Sequence, residues 1–392
     1  MLGEVADSRQ MDTYKRLPVR FVSGRGAQLT DAQGRDYIDF LAGIAVASVG
    51  HAHPKIAAAI AEQAARLIHV SNIFETEPQE ELAGRLFELS GGMRSFFCNS
   101  GAEAIEAALK LARKHALVTG REAIRIVCAE GGFHGRTFGA LSATGQPSKQ
   151  APFVPLVGGF THVPFGDEGA LEKVVDEDVA AVLLEPIQGE AGVVVPPPGY
   201  LSAARDLCDR VGAVLILDEV QTGLGRTGSW FAFQHEGASP DVMCLAKALA
   251  GGLPMGACLA TPLVAASFQP GDHATTFGGG PVQSAAALAT LDVIESEGLV
   301  QRAKVAGERL STGLRALFPE AEVRGRGLLV AVELNGDAAT EIVERALTAG
   351  LMLNATSPNT LRLAPPLVIT DEELDRGLAI LGEVAGEVLT SA

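Results

Sequence analysis

Between about residues 55 and 280 the chain alternates short apolar runs with amphipathic stretches, and this alternation constrains the fold more than any other feature. The runs are Ser95–Cys98, Arg125–Ala129, Ala180–Leu184, Ala213–Leu217, Val242–Leu245 and Ala257–Ala260, separated by helix-patterned segments such as Glu103–His115 and Tyr200–Val211. Strands that are apolar throughout, rather than alternately polar, suit a sheet covered on both faces. Strands alternating with helices imply a mainly parallel α/β sheet. The 45 glycines fit the tight strand-to-loop turns of such a fold. Before this region, turn signals at Ser23-Gly24, Gly26, Asp31 and Gln33-Gly34 predict a small hairpin ending in the strand-like Tyr37–Phe40. After it, a long helix over Pro281–Glu297 leads to strand signals at Gly327–Leu334 and Leu361–Ala364. Helices are predicted over Ala338–Ala349 and Asp371–Leu389, so the tail reads as a second, smaller α+β domain.

Composition excludes several classes of partner. A formal charge of −16 argues against nucleic acid and anionic membrane surfaces. It does not exclude an anionic substrate, because a few arginines reverse the field locally. The five cysteines are odd in number and form no C-x-x-C pair, which predicts reduced thiols in a cytoplasmic protein. The polar start MLGEVADSRQ does not read as a signal peptide. No apolar run reaches the roughly 18 residues of a membrane span. No metal site is expected: His51-Ala52-His53-Pro54 offers two ligands without a partner cluster and reads as a proline-fixed turn. Gly223–Gly228 satisfies G-x-G-x-x-G, yet no helix start follows it, so a dinucleotide site is not expected.

The chemistry centres on an acid and a lysine. In Leu215–Gln221 an apolar strand ends in Asp218, at the carboxyl edge of the sheet where open α/β folds bind ligands; a turn cap is the plainer alternative. Lys247 follows the next strand, among Ala246, Ala248 and Leu249 and just before Gly251-Gly252. A lysine kept dry by such neighbours has a lowered pKa and condenses with aldehydes. An imine-forming lysine and a carboxylate that keeps a ring nitrogen protonated are what a pyridoxal cofactor demands of its protein. Asn99–Glu103 joins a strand to a helix, and its free N–H groups with the Ser100 hydroxyl offer a phosphate seat. Ser100 as a plain helix cap has the same geometry. Phe133 is placed to lie on a cofactor ring and Arg136 to hold a carboxylate, while His134 is given no catalytic role.

These stretches in this order resemble the class III, ω-amino-acid aminotransferases of the fold-type-I pyridoxal superfamily. The likeness runs through DFLAGIAVASVGHAHP from Asp39, SNIFETEPQEEL from Ser71, FCNSGAEAIEAALKLAR from Phe97 and FHGRT from Phe133. It continues through EPIQGEAG from Glu185, LDEVQTGLGRTG from Leu217, Lys247, TTFGG from Thr275 and LRLAPPL from Leu361. Within the class it is strongest to the acetylornithine aminotransferases. The resemblance implies pyridoxal 5′-phosphate and a seven-stranded, mainly parallel sheet in a large domain, 51–280. A small domain, 281–392, would be joined by an N-terminal segment, 1–50. It implies Lys247 as the Schiff-base lysine and proton shuttle, Asp218 at the pyridine nitrogen and Gln221 near the ring hydroxyl. Ser100, Gly101 and Ala102 would sit at the phosphate, Phe133 on the ring, and Thr276 at the phosphate of the partner subunit in a homodimer. Arg136 and Arg362 would clamp carboxylates, Thr275 would touch substrate, and Glu190 would mask Arg362 in one half-reaction and release it in the other. The implied substrates are N-acetylornithine and 2-oxoglutarate or glutamate. Rival activities in the class act on 4-aminobutyrate, succinylornithine or succinyl-diaminopimelate, and a pyridoxal-binding chain without catalysis is opposed by the intact Lys247 and Asp218. Two departures stand out. Gly280 replaces the Asn of TTFGGNP, which predicts a looser loop, and Ile44 stands where ornithine aminotransferases carry a Tyr.

Overall fold

The computed structural model describes residues 9–391; residues 1–8, which make up most of the stretch read as no signal peptide, lie outside that range. A central sheet of seven strands runs in the order Arg94–Cys98, Gly256–Ala260, Val242–Leu245, Val214–Asp218, Val179–Leu184, Arg125–Ala129, Phe160–Val163. All neighbours pair in parallel except at Gly256–Ala260, which is antiparallel to both strands beside it. The apolar runs are buried along their whole length in Val179–Leu184, Val214–Asp218 and Val242–Leu245, because helices cover both faces. Phe160–Val163 escaped the sequence reading for a physical reason: it is an edge strand whose Thr161 and His162 are only half-buried.

Two smaller sheets flank this core. Phe21–Arg25, Gln28–Asp31 and Asp36–Asp39 form the anticipated hairpin region, and Leu351–Met352 adds to it in parallel with Asp36–Asp39. The third sheet is antiparallel, with Leu329–Glu333 between Glu322–Arg326 and Thr360–Leu363, and Asn354–Ser357 at its edge. Its register sets Arg362 opposite Ala331 on one side and Asn354 on the other. The helix Pro281–Ser296 forms as anticipated. Leu299–Leu317, which follows the left-handed Gly298, was not singled out in the sequence.

Gly223–Gly228 is a run of turns rather than a strand–loop–helix unit. Its Arg226 is buried and donates to Leu328 O at 3.0 Å, to Pro365 O and to Ser48 Oγ at 2.8 Å. One guanidinium therefore ties three distant stretches of chain together. His51 and His53 bond to Asp39 and Glu297, and no group of three or more His, Cys, Asp or Glu among the described residues is placed to hold a metal ion. No helix among the described residues is long and apolar enough to cross a membrane.

Candidate active site

The carboxyl ends of the central strands open onto a cavity of about 450 Å³. Lys247, Asp218, Gln221, Ser100, Gly101, Ala102, Phe133 and Arg136 all line it. Residues from four separate strand ends thus converge as the parallel topology requires.

The lysine is held in a conformation that ordinary residues avoid. After the strand Val242–Leu245 the backbone turns at Ala246, and Lys247 adopts φ 41°, followed by Gly251 and Gly252 at φ 59° and 114°. Left-handed backbone at a non-glycine residue is strained and persists where its surroundings impose it. The side chain faces the cavity and so keeps some exposure, while its ammonium lies deep among protein atoms. Burial lowers its pKa to about 8, with Arg362 adding to the fall and Glu190, Asp218 and Glu185 opposing it. Among the described residues no hydrogen-bond or ion-pair partner is placed on Nζ. A desolvated amine with nothing to bond is chemically poised.

Across the cavity Asp218 ends its strand. Its Oδ2 lies 2.8 Å from His134 Nδ1 and its Oδ1 accepts the Val220 N–H at 3.1 Å. Burial opposes charge on His134, yet the Asp218 bond and charge raise its pKa above the usual value. The other ring nitrogen, Nε2, is buried without a partner. Glu185 lies close by, accepting the Phe133 N–H at 2.9 Å, and burial raises it to about 7.

The strand-to-helix turn is built of small residues under tight packing. Ser100 caps the helix Gly101–Val118 by accepting the Glu103 N–H at 3.2 Å, and Glu103 accepts the Asn99 N–H at 2.6 Å in return. Accepting leaves the Ser100 hydroxyl proton free to donate. A Cβ on Gly101 would meet Val220 at 3.1 Å, and one on Gly256 would lie 2.3 Å from Ser100 O. Gly101 and Ala102 line the cavity from the first turn of the helix, where N–H groups have no intrahelical acceptor, the arrangement that seats anions.

Arg362 and Glu190 adjoin the cavity through Gln221. Buried Arg362 bonds Glu190 Oε1, Gln221 Oε1 at 3.2 Å, Gly189 O at 3.2 Å and Asn354 Oδ1 at 3.2 Å, and Gln221 Nε2 reaches Glu190 at 3.3 Å. Burial pushes Glu190 up, but the charges of Arg362 and Lys247 outweigh it and hold the carboxyl below its usual range. Thr275 and Thr276 do not join this cavity. They line a second one of about 620 Å³ with Asn72, Gln79 and Phe97. That loop is tied down by Asn72 to Thr275 O and Gly278 O at 3.1 and 2.9 Å, and by Gln79 to Gly279 O at 3.0 Å.

Several lining residues were not legible beforehand. Sequence position gives His134 no role, whereas its bond to Asp218 makes it a group that orients that carboxylate. Val220 also lines the cavity, brought there by the turn that follows the strand and returns its N–H to Asp218 Oδ1. Val46 reaches the cavity from a left-handed turn in which Ala42, Gly43, Ile44 and Ala45 have φ of 51°, 61°, 65° and 61°. Asp39 Oδ1 braces the turn by accepting the Leu41 and Ala42 N–H groups, each at 2.8 Å.

The residues fit pyridoxal phosphate: an unpartnered, desolvated amine faces a carboxylate across a cavity that has an anion seat at one edge. The model for aminotransferase class-III matches residues 10–384. Acetylornithine aminotransferase of Mycobacterium tuberculosis is 53% identical over 376 residues, covering 95% of this chain and 92% of that protein. Among solved structures, the ornithine aminotransferase of Toxoplasma gondii superposes with a TM-score of 0.94 at 37% identity, covering 97% of this chain and 93% of that one. The acetylornithine aminotransferase of Elizabethkingia anophelis gives 0.87 at 36%, with 97% and 96% covered. The chain belongs to the class-III aminotransferases.

Proposed function

We propose that the chain transfers the δ-amino group of N2-acetyl-L-ornithine to 2-oxoglutarate, giving the acylated semialdehyde and glutamate, a step of arginine biosynthesis. The observation that carries the chemistry is the bare Lys247 amine facing Asp218 across one cavity. The substrate assignment is supported by 53% identity, over 95% of the chain, to a protein named for that activity. The likeness in shape to an ornithine aminotransferase supports a second reading, but Ile44 supplies no hydroxyl where those enzymes carry Tyr. A donor panel separates the two: turnover of ornithine in preference to N-acetylornithine would overturn the first.

Lys247 Nζ would hold the cofactor and, when free, take the proton from the substrate carbon bearing the amino group. Asp218, steadied by His134, would keep a proton on the ring nitrogen. Ser100, Gly101 and Ala102 would hold the phosphate, Phe133 the ring face and Gln221 the ring hydroxyl. Bound there, pyridoxal phosphate supplies the electron sink that makes the substrate C–H bond acidic. Arg136 would bind the carboxylate remote from the reacting amine, since a guanidinium grips a carboxylate with two parallel bonds. The same reading takes residues 51–280 as the cofactor domain and 281–392, with the first 50 residues, as the smaller one. Pairing of Asp36–Asp39 with Leu351–Met352 supports that division.

A neutral amine is required for capture, so the rate at which the apoprotein takes up pyridoxal phosphate rises with pH through about 8 and levels off above it. Stopped-flow absorbance across pH measures this; a rise that continues to the ordinary lysine range contradicts the burial argument.

Glu190 is the charge mask. With Arg362 paired, a monocarboxylic donor meets Arg136 as the cation lining the cavity; with Glu190 displaced, a dicarboxylate meets Arg362 as well. Glu190→Ala is expected to tighten glutamate and to cut the preference for the acylated donor over glutamate by at least about tenfold. Half-reaction rates and preference unchanged from wild type would remove the gate.

The active unit is a homodimer in the cytoplasm, with Thr276 serving the phosphate of the partner and Thr275 its substrate. Support comes from their placement outside the Lys247 cavity and from the exposure nearby of Ile73 at 81%, Phe277 at 63% and Phe74 at 60%. Apolar surface of that kind calls for cover, and a second copy supplies it. Sedimentation of the holoprotein as a monomer at micromolar concentration would contradict this.

A further inference from the structure

Phe133 carries two cations rather than one. The Arg136 guanidinium carbon and the Lys149 Nζ each lie 5.7 Å from the ring centroid. They arrive from different elements, Arg136 from the loop after the strand Arg125–Ala129 and Lys149 from the short helix Pro147–Gln150. Lys149 is half-buried, and its hydrogen bond goes to the neutral amide of Gln146. Arg136 is exposed toward the cavity, and among the described residues no hydrogen bond or ion pair is placed on its guanidinium. Among the described residues neither cation has a carboxylate within ion-pairing distance, in a chain where acidic residues outnumber basic ones 47 to 31. Arg362, by contrast, is already neutralised by Glu190.

Two like charges gathered on one ring, without a counter-ion and beside a cavity that Phe133 and Arg136 line, are held at an energetic cost. The Lys149 ammonium shows that cost: burial and the charge of Arg136 draw its pKa below the usual lysine range, and Glu190 opposes the fall. An anion within reach of both cations relieves it. A guanidinium supplies a planar pair of donors, and an ammonium adds a compact, rotatable one. Together they distinguish a carboxylate from a neutral isostere far better than either alone, because the amide leaves both charges uncompensated.

We propose that Lys149 is a specificity-determining residue which, with Arg136, forms a paired cationic seat for the carboxylate at the end of the substrate remote from the transferred amino group. The inference rests on the aminotransferase reading and adds to it a second cation. Lys149 is a positioning and selecting group; it moves no proton.

The test uses holoenzyme as wild type, Lys149→Met and Lys149→Arg, with two pairs of amino donors that differ in one carboxylate. The pairs are N-acetyl-L-ornithine against its carboxamide, and glutamate against glutamine in single turnover. Lys149→Met is expected to raise KM for N-acetylornithine and the apparent Kd for glutamate about tenfold, with kcat and the single-turnover rate within about twofold. The two amides should move by less than about twofold, and Lys149→Arg should recover most of the loss. Equal weakening of acid and amide would show a merely structural role, through Gln146 and the Gly131 carbonyl it bonds at 2.9 Å, and would overturn the proposal. Unchanged acids would overturn it too. The glutamate arm keeps the two readings apart. Wild type that reacts with glutamate but not with N-acetylornithine sinks the donor assignment, while the glutamate–glutamine comparison still decides Lys149.

Discussion

Replacing Lys247 by Ala is expected to lower turnover by at least about 10⁴-fold, because one side chain both tethers the cofactor and moves the proton. The position is already shaped for a special residue. Its backbone sits at φ 41°, so the fold carries strain there whatever side chain is attached. Removing a buried amine that has no partner leaves no orphaned group behind, so the variant should fold and keep its thermal midpoint. Loss of rate without loss of stability is the signature to seek, measured by half-reaction kinetics beside thermal unfolding. Addition of small primary amines should restore part of the rate, since they can move the proton without the tether. A Lys247→Ala chain within about tenfold of wild type would mean that the proton moves elsewhere.

Asp218→Asn is the second large effect, a fall in turnover on the order of 10³-fold. The amide is nearly the same size and can still accept from Val220 N, so packing is preserved. What disappears is the negative charge that holds a proton on the heterocycle. His134 falls with it: burial alone lowers a histidine, and the bond to Asp218 is what keeps its pKa raised. The substitution thus removes the carboxylate charge and favours the neutral form of the histidine beside it. Asp218→Glu should recover part of the activity by restoring the charge at a displaced position. Single-turnover rates with glutamate measure the effect, and a change of less than about threefold for Asp218→Asn would contradict the assignment.

The central strands could be read from the chain because burial on both faces leaves no room for polar alternation. Val179–Leu184 and Val214–Asp218 announce themselves by composition alone. Phe160–Val163 does not, since an edge strand tolerates Thr161 and His162 on its open side, and Glu322–Arg326 hides behind its arginines for the same reason. The site divides in the same way. Asp218 and Lys247 stand at strand ends, where sequence position predicts spatial position. Arg362 and Glu190 are separated by 172 positions, and only the folded chain shows Arg362 shared between Glu190, Gln221 and Gly189. Local pattern also missed Lys149, because a lysine on a short exposed helix looks like ordinary surface. Its place beside Phe133 arises from the packing of that helix against the Phe133 loop, which no periodicity links.

Reduction of the holoprotein with borohydride, followed by peptide mapping, tests the central claim most directly. A single pyridoxyl adduct on Lys247 is expected, absent when Lys247 is replaced by Ala. An adduct on Lys149 or any other lysine, or no stoichiometric adduct at all, would contradict it.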